Sequence, residues 1–302
     1  VTKRVSILVT GASGQVGVDL VDTLRAISVP GADKHWQPDD RPVSPDEFEV
    51  HARSHAQLDI TSRESIANVL AELRPDVVVN LAAYTKVDAA ESDPESCFAL
   101  NRHAVGQLSE LARESGAHLI TVSTDYVFDG TKGAAYIETD STAPLNVYGR
   151  SKRDGELLCT ERDTIVRTSW VFGVRARNVV HLIADRVTQG QTVRFVSDQR
   201  GTATFAADLS RALVTFVRQR PGGVWHFANT GDLTWYELAS EVAHTLTGSR
   251  ELVEPIATSD LVPTPAAQRP SRSDLDTSKW RSQGFVAPPT WSVGLARLLI
   301  AK

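Results

Sequence analysis

The sequence predicts an α/β protein: a Rossmann-type, doubly wound parallel sheet with a smaller C-terminal substrate-binding lobe. Three observations lead there. Short apolar runs alternate with helical patterns as far as about residue 172. A glycine triplet closes the first run and opens the first helix. The run DVVVNLA at 76–82 is continuously apolar, as parallel strands buried on both faces are. Strands alternating with helices build a parallel sheet through right-handed crossovers.

VSILVT (Val5–Thr10) is short, β-rich and closed by glycine, so it reads as a buried strand. A helical pattern follows from about 16 to 27. VPGADKHWQPDDRPVSPDE is rich in Pro and Asp and reads as a loop or insertion, about 30–45. FEVHAR is the second strand. TSRESIANVLAEL opens with Thr61 and Glu64 at capping-box spacing and continues with helical periodicity. After the strand at 76–82 come a long helix from about 94 to 115 and the strand HLITVST. The helix holding Tyr148 and Lys152 follows, then the strand TIVRTSWVF at 164–172. Beyond Gly173 the pattern loosens. Helices near 178–189, 206–218 and 234–246 are interleaved with strands VRFVSD and VWHFAN, and a terminal helix follows Pro289. The expected division is a dinucleotide-binding domain from 1–172 and about 204–228, with the lobe from about 173–203 and 229–302.

The 302 residues are 41% apolar and 23% charged, as in a soluble globular protein. A net charge of −5 gives no electrostatic reason to expect nucleic acid. Cys97 and Cys159 lie far apart, outside any disulfide or zinc spacing, which suits a reducing compartment. No apolar run approaches the roughly 20 residues that span a bilayer. VTKRVSILVTGASG enters a strand and a glycine turn directly, leaving no room for a signal peptide. The expectation is a cytoplasmic protein with no nucleic-acid or membrane partner.

In VTGASGQVG, Gly11, Gly14 and Gly17 have Gly-x-x-Gly-x-x-Gly spacing between a strand and a helix. Glycines permit the tight turn, and the helix N-terminus offers free N–H groups to a pyrophosphate. Ser13, Gln15 and Val16 belong to the same candidate cofactor site. The second strand ends HARSH, with Arg53 and Ser54 where an NAD-preferring site tends to carry a carboxylate. That favours NADPH over NADH. Asp59 in LDIT, beside Ile60, is placed to meet the adenine amino group, or is a loop carboxylate. STDYVFDG puts Ser123, Thr124, Asp125 and Tyr126 at the carboxyl end of a strand, where ligands of open α/β sheets sit. A hydroxyl there can bind a carbonyl oxygen and stabilise a developing alkoxide. Tyr148 and Lys152, four residues apart, share one helix face.

Glycine turn, Ser-Thr and Tyr-x-x-x-Lys together resemble the extended, sugar-nucleotide-modifying branch of the short-chain dehydrogenase/reductases. VVVNLAAYTKVDAAESDPE, STDYVFDG, APLNVYGRSKRDGE, VRTSWVFG, DQRGTAT and RPSRSDLDTSKW narrow the resemblance to the dTDP-4-dehydrorhamnose reductase family, along essentially the whole chain. The resemblance implies NADPH-dependent reduction of the C4 ketone of a dTDP-4-keto-6-deoxy sugar nucleotide. It implies Tyr148 as proton donor and Lys152 as its partner and nicotinamide-ribose ligand. The adjacent ammonium would bring the phenol's pKa down toward working pH. Thr124 would orient the carbonyl. Ala82, Ala83 and Tyr84 would border the cofactor, and Asp125, Tyr126, Trp170 and Asn178 would contact the substrate. For Tyr126 and Trp170 a packing role stays open.

The chain departs from the family pattern in places. DQRGTAT carries Ala203 where the family has proline. Some family members dimerise through a magnesium site. Asp19 is one candidate carboxylate but no others can be placed, so no metal site is assigned and monomer and homodimer both stand. The insertion exceeds what the family generally carries. A 4,6-dehydratase would need glutamate after Asp125, where Tyr126 stands. A 4-epimerase, a reductase of another deoxyhexulose, and a non-catalytic NADP-binding regulatory subunit remain alternatives.

Overall fold

The computed structural model describes residues 4–33 and 36–301, so residues 34 and 35 of the predicted insertion lie outside the described residues. β1 (Val5–Thr10), α1 (Gln15–Leu24), β2 (Phe48–Ala52), α2 (Arg63–Leu73) and β3 (Val77–Asn80) open the chain. α3 (Val87–Ser92), α4 (Pro94–Phe98), α5 (Ala104–Ser115), β4 (His118–Thr124), α6 (Val147–Glu156) and β5 (Thr164–Thr168) follow. Then come β6 (Val171–Phe172), α7 (Val179–Thr188), β7 (Val193–Val196), β8 (Arg200–Thr202), β9 (Thr204–Phe205), α8 (Ala206–Gln219) and β10 (Gly223–His226). β11 (Asp232–Thr234), α9 (Trp235–Thr247), β12 (Val253–Ile256), α10 (Ser278–Ser282) and α11 (Trp291–Ile300) complete it.

Six parallel strands form the central sheet in the order β10-β5-β4-β3-β1-β2. The order reverses at β1, with β2 on one side and β3 on the other, which opens a crevice at the carboxyl ends. A rung of buried bonds pins the register there. Thr10 Oγ1 donates to Asn80 Oδ1 at 2.7 Å, and Asn80 Nδ2 donates to Thr121 Oγ1 at 3.1 Å. α1 and α8 bury Leu20, Leu24, Leu213 and Phe216 on one face of the sheet. α2 and α5 bury Ile66, Leu70 and Leu108 on the other. Two covered faces explain why these strands read as unbroken apolar runs. A separate core joins Ile183 and Val187 of α7, Leu238 and Val242 of α9 and Leu298 of α11.

Most predicted elements stand within a few residues of their expected bounds, and three differ. Ser62, not Thr61, caps α2, accepting from Ser65 N at 3.2 Å, because the Thr61 hydroxyl donates to Asp59 at 2.7 Å. The helix expected over 94–115 contains a π turn at Ala99–His103 and is preceded by the unforeseen α3. The turn carries Asn101, whose amide bonds both Tyr84 N and Tyr84 O at 2.9 Å. The strand expected over 164–172 breaks at Trp170, whose φ is +42°, and β6 leaves the sheet to pair with β9.

The insertion is a strap across α8. Trp36 packs into the sheet core, and Arg211 Nη1 donates to Trp36 O at 2.6 Å. Arg218, nearly buried, bonds Asp39 at 2.9 Å and Glu47 at 2.8 Å.

Candidate active site

The glycine turn sits in the crevice beside β3. Gly11 has φ +62°, and a Cβ there would lie 2.6 Å from Ala82 N; one at Gly17 would lie 2.3 Å from Gly11 O. Only glycine lets these backbones meet. Gly14 stands at the N-cap of α1 without a side-chain cap, which leaves the first-turn N–H groups available.

Helix α6 is held against this crevice. Asn146 caps it, accepting from Gly149 N at 2.7 Å, and Glu91 of α3 accepts from Val147 N at 2.7 Å. A Cβ at Gly149 would lie 2.2 Å from Tyr126 O, and one at Gly155 would lie 2.1 Å from Asn101 O. The two glycines let α6 approach the turn after β4 and the π turn closely enough to present Tyr148 and Lys152. Lys152 Nζ donates to Val122 O at 2.6 Å, leaving two N–H donors. Burial pulls its pKa down to about 8, opposed by the negative charge of Glu156. Glu156 in turn holds buried Arg167, at 2.7 Å to Nη2.

The phenol corrects one expectation. Burial raises the Tyr148 pKa well above its usual value, and the nearby Asp125 carboxyl raises it further, against a lowering hydrogen bond from Thr124. Desolvation of a phenolate dominates, and the Lys152 ammonium is turned to the Val122 carbonyl. The phenol is therefore held as an acid.

Thr124 Oγ1 donates to Asp125 Oδ1 at 3.1 Å and accepts from Tyr126 N at 3.2 Å. Asp125, 2% exposed, accepts from Ser273 Oγ at 2.6 Å, and burial pushes its pKa up to about 7. Tyr126 meets Tyr148 edge-on at 6.1 Å. Trp170 stacks on Trp235 at 4.0 Å and 15°, with its Nε1 buried and unpartnered among the described residues. A Cβ at Gly201 would come within 2.8 Å of the Trp170 ring.

These groups line one cavity of about 590 Å³. Of the predicted residues it gathers Gly11, Gly14, Gln15, Val16, Gly17, Ala83, Ser123, Thr124, Asp125, Tyr126, Tyr148, Lys152 and Trp170. Ser13, Arg53, Ser54, Ala82 and Tyr84 stand outside its lining, as do Asp59, Ile60 and Asn178. Asp59 Oδ1 closes a local turn on Thr61 N at 2.9 Å, and Ile60 is buried in the core under α2. The Asn178 amide is engaged in structure. It caps α7 through Val180 N at 3.1 Å and donates to Gln15 Oε1 at 3.0 Å, tying α7 to the glycine turn. The cavity also takes in Thr85, Thr168, Ser169, Arg177 and Trp235, which sequence reasoning missed. Only Trp235, an aromatic opening a helix behind Thr234, carried a legible signal.

A dinucleotide fits the residues present. The glycine cradle has no room for side chains, the α1 N-terminus is uncapped, and Ser123 Oγ on the cavity wall is buried with no partner among the described residues. Arg53 lies beside the turn, its carbonyl accepting from Ala12 N at 3.3 Å, and has no carboxylate partner among the described residues. No cluster of His, Cys, Asp or Glu suited to a metal occurs among the described residues. No described helix is long and apolar enough to cross a membrane.

Comparison with known proteins agrees with this geometry. Residues 5–301 match the family described as RmlD substrate binding domain. A dTDP-4-dehydrorhamnose reductase of Burkholderia thailandensis is 35% identical over 96% of this chain and 97% of its own length. A probable dTDP-4,6-dihydroxy-2-methyloxan-3-one 4-ketoreductase of Streptomyces antibioticus is 36% identical over 95% and 92%. The crystal structure of a Bacillus anthracis dTDP-4-dehydrorhamnose reductase in complex with NADP superposes with a TM-score of 0.87 at 30% identity, covering 99% of this chain and 100% of that one. With its Rossmann sheet, glycine cradle and Thr124–Tyr148–Lys152 set, the chain belongs to the RmlD substrate-binding-domain family of NAD(P)H-dependent sugar-nucleotide reductases.

Proposed function

We propose that this protein reduces the C4 ketone of a dTDP-4-keto-6-deoxyhexose, with dTDP-4-dehydro-L-rhamnose as substrate and dTDP-L-rhamnose as product. The observation that carries the reading is the convergence of Thr124, Tyr148 and Lys152 on the cavity that the glycine turn opens. NADPH, when bound, supplies the hydride to C4. Arg53 without a carboxylate at the end of β2 suits the 2′-phosphate.

Tyr148 gives its proton to the C4 oxygen as that oxygen gains charge. Its raised pKa suits the reductive direction, because the phenol arrives protonated. Thr124 binds the same oxygen, and Lys152, anchored on Val122 O, offers its remaining donors to the cofactor ribose. Trp170 and Trp235 form an aromatic wall against which the sugar nucleotide lies.

A second reading changes only the sugar. The Streptomyces antibioticus 4-ketoreductase is as similar to this chain as the rhamnose reductase is. One assay separates the two: NADPH oxidation with enzymatically prepared dTDP-4-keto-6-deoxy sugars of the L-lyxo and D-xylo forms. Consumption with the L-lyxo sugar alone supports the rhamnose reading. Consumption only with another 4-keto sugar removes that reading and leaves the ketoreductase. No consumption with any of them, alongside tight NADPH binding, removes both in favour of a non-catalytic subunit.

A further inference from the structure

Thr124 has one hydroxyl proton and two acceptor lone pairs. In the structure that proton goes to Asp125 Oδ1 at 3.1 Å, while Tyr126 N–H donates to the same Thr124 oxygen at 3.2 Å. In this arrangement Thr124 has no proton to offer a ketone. A productive arrangement requires that proton to turn toward the substrate.

Asp125 is the group that can release it. Its Oδ2 accepts from Ser273 at 2.6 Å, a residue 148 positions away on the segment that follows Arg269. Oδ1 faces Thr124. The charged and titratable groups around it are few. Tyr126 follows it, Tyr148 approaches from α6, and Arg269 bonds Tyr126 from the far side. Lys152 is turned to Val122 O, and Arg272 is paired with Asp274. No cation bonds the Asp125 carboxyl among the described residues; the Thr124 and Ser273 hydroxyls and the backbone at Asp125 and Tyr126 are its partners.

We propose that Asp125 is a positioning residue whose proton sets the direction of the Thr124 hydroxyl. Protonated on Oδ1, Asp125 donates to Thr124 Oγ1. That bond and the one from Tyr126 N fill both lone pairs. The Thr124 proton then turns to the ketone oxygen that the Tyr148 phenol also meets. Ionised, Asp125 recaptures the Thr124 proton and the ketone loses that donor. Ser273 holds the carboxyl in place and stabilises its ionised form. The raised pKa of about 7 puts this exchange within the working range. The proposal rests on the reading of Thr124 and Tyr148 as the carbonyl-binding pair.

The test compares kcat against pH for the wild type, Asp125→Asn and Ser273→Ala, with NADPH binding by fluorescence as the check on folding. In the wild type kcat falls about tenfold per pH unit above the Asp125 pKa. In Asp125→Asn the amide donates to Thr124 at every pH, so that limb disappears. Ser273→Ala moves the limb to higher pH by about one unit, the size of one hydrogen bond to a charged group. A limb unchanged in Asp125→Asn overturns the proposal, as does a Ser273→Ala limb that stays put or moves to lower pH. A second arm needs no substrate: difference infrared spectra of wild type against Asp125→Asn. A protonated-carboxyl band that titrates near neutral pH and is lost in the variant supports the assignment; its absence overturns it. Failure of the wild type to reduce any dTDP-4-keto sugar strikes the functional reading, and the infrared result then judges Asp125 independently.

Discussion

Burial governs the chemistry of single residues here. Tyr148 and Lys152 are both removed from water, which raises one pKa and lowers the other, so each is biased toward its neutral form. Tyr148→Phe removes the proton donor and little else. We expect turnover to fall at least about a hundredfold while NADPH affinity is kept, read by steady-state kinetics beside a binding titration. A variant near the wild-type rate refutes the assigned role. Lys152→Ala should harm both quantities, and unchanged NADPH affinity would contradict the ribose contact. Asp19 gives a stability test away from the chemistry. It is buried, 3.5 Å from Arg175 Nε with no hydrogen bond donated to its Oδ1, and burial pushes its pKa up to about 7. A raised folded-state pKa means that Asp19's favourable contribution is complete below about pH 4 and is lost as pH rises through about 7. Asp19→Asn should thus gain stability over the wild type as pH rises through that window, reaching about 2–4 kcal/mol by pH 8. Urea midpoints at pH 4.5 and 8 measure it, and a pH-independent difference would contradict the cause.

Among the elements, α6 and the β5–β6 break set the site. The Tyr148–Lys152 pairing was legible because a helix repeats every 3.6 residues, so four positions return to one face. The glycines of the same helix were visible too, but not their purpose, since Gly149 meets Tyr126 and Gly155 meets Asn101 only after folding. Trp170 shows the limit of local reading. Its stretch has strand composition, yet packing on Trp235 and the bare Gly201 backbone accompany a positive φ that propensity would never select. Gly201→Ala puts a Cβ against that ring. It should raise KM for the sugar nucleotide about tenfold, close to 1.4 kcal/mol, with KM for NADPH unchanged. Equal effects on both would mean that Trp170 supports the cavity as a whole rather than one ligand.

Across the whole molecule, the strap between α1 and β2 has a structural account where sequence offered none. Its Trp36, Asp39 and Glu47 are bound to α8, and Asp33 reaches Arg297 of α11 at 2.8 Å. Arg218→Ala takes the cation from Asp39, while Glu47 keeps Arg41 at 2.8 Å, and should cost about 2 kcal/mol, visible as a lower urea midpoint, with kcat preserved at temperatures where the variant is folded. Loss of kcat at unchanged stability would tie the strap to the site instead.

Residues near one another in the chain already declared the Rossmann sheet, the glycine turn and the helix face shared by Tyr148 and Lys152. Apolar periodicity, glycine spacing and helical repeat are local properties that survive without knowledge of the fold. Folding alone brought Trp235 beside Trp170, turned the Asn178 amide into a helix cap, and laid Ser273 on Asp125. Those contacts join positions far apart in the chain, and their protonation and orientation follow from burial, which no single stretch of sequence specifies.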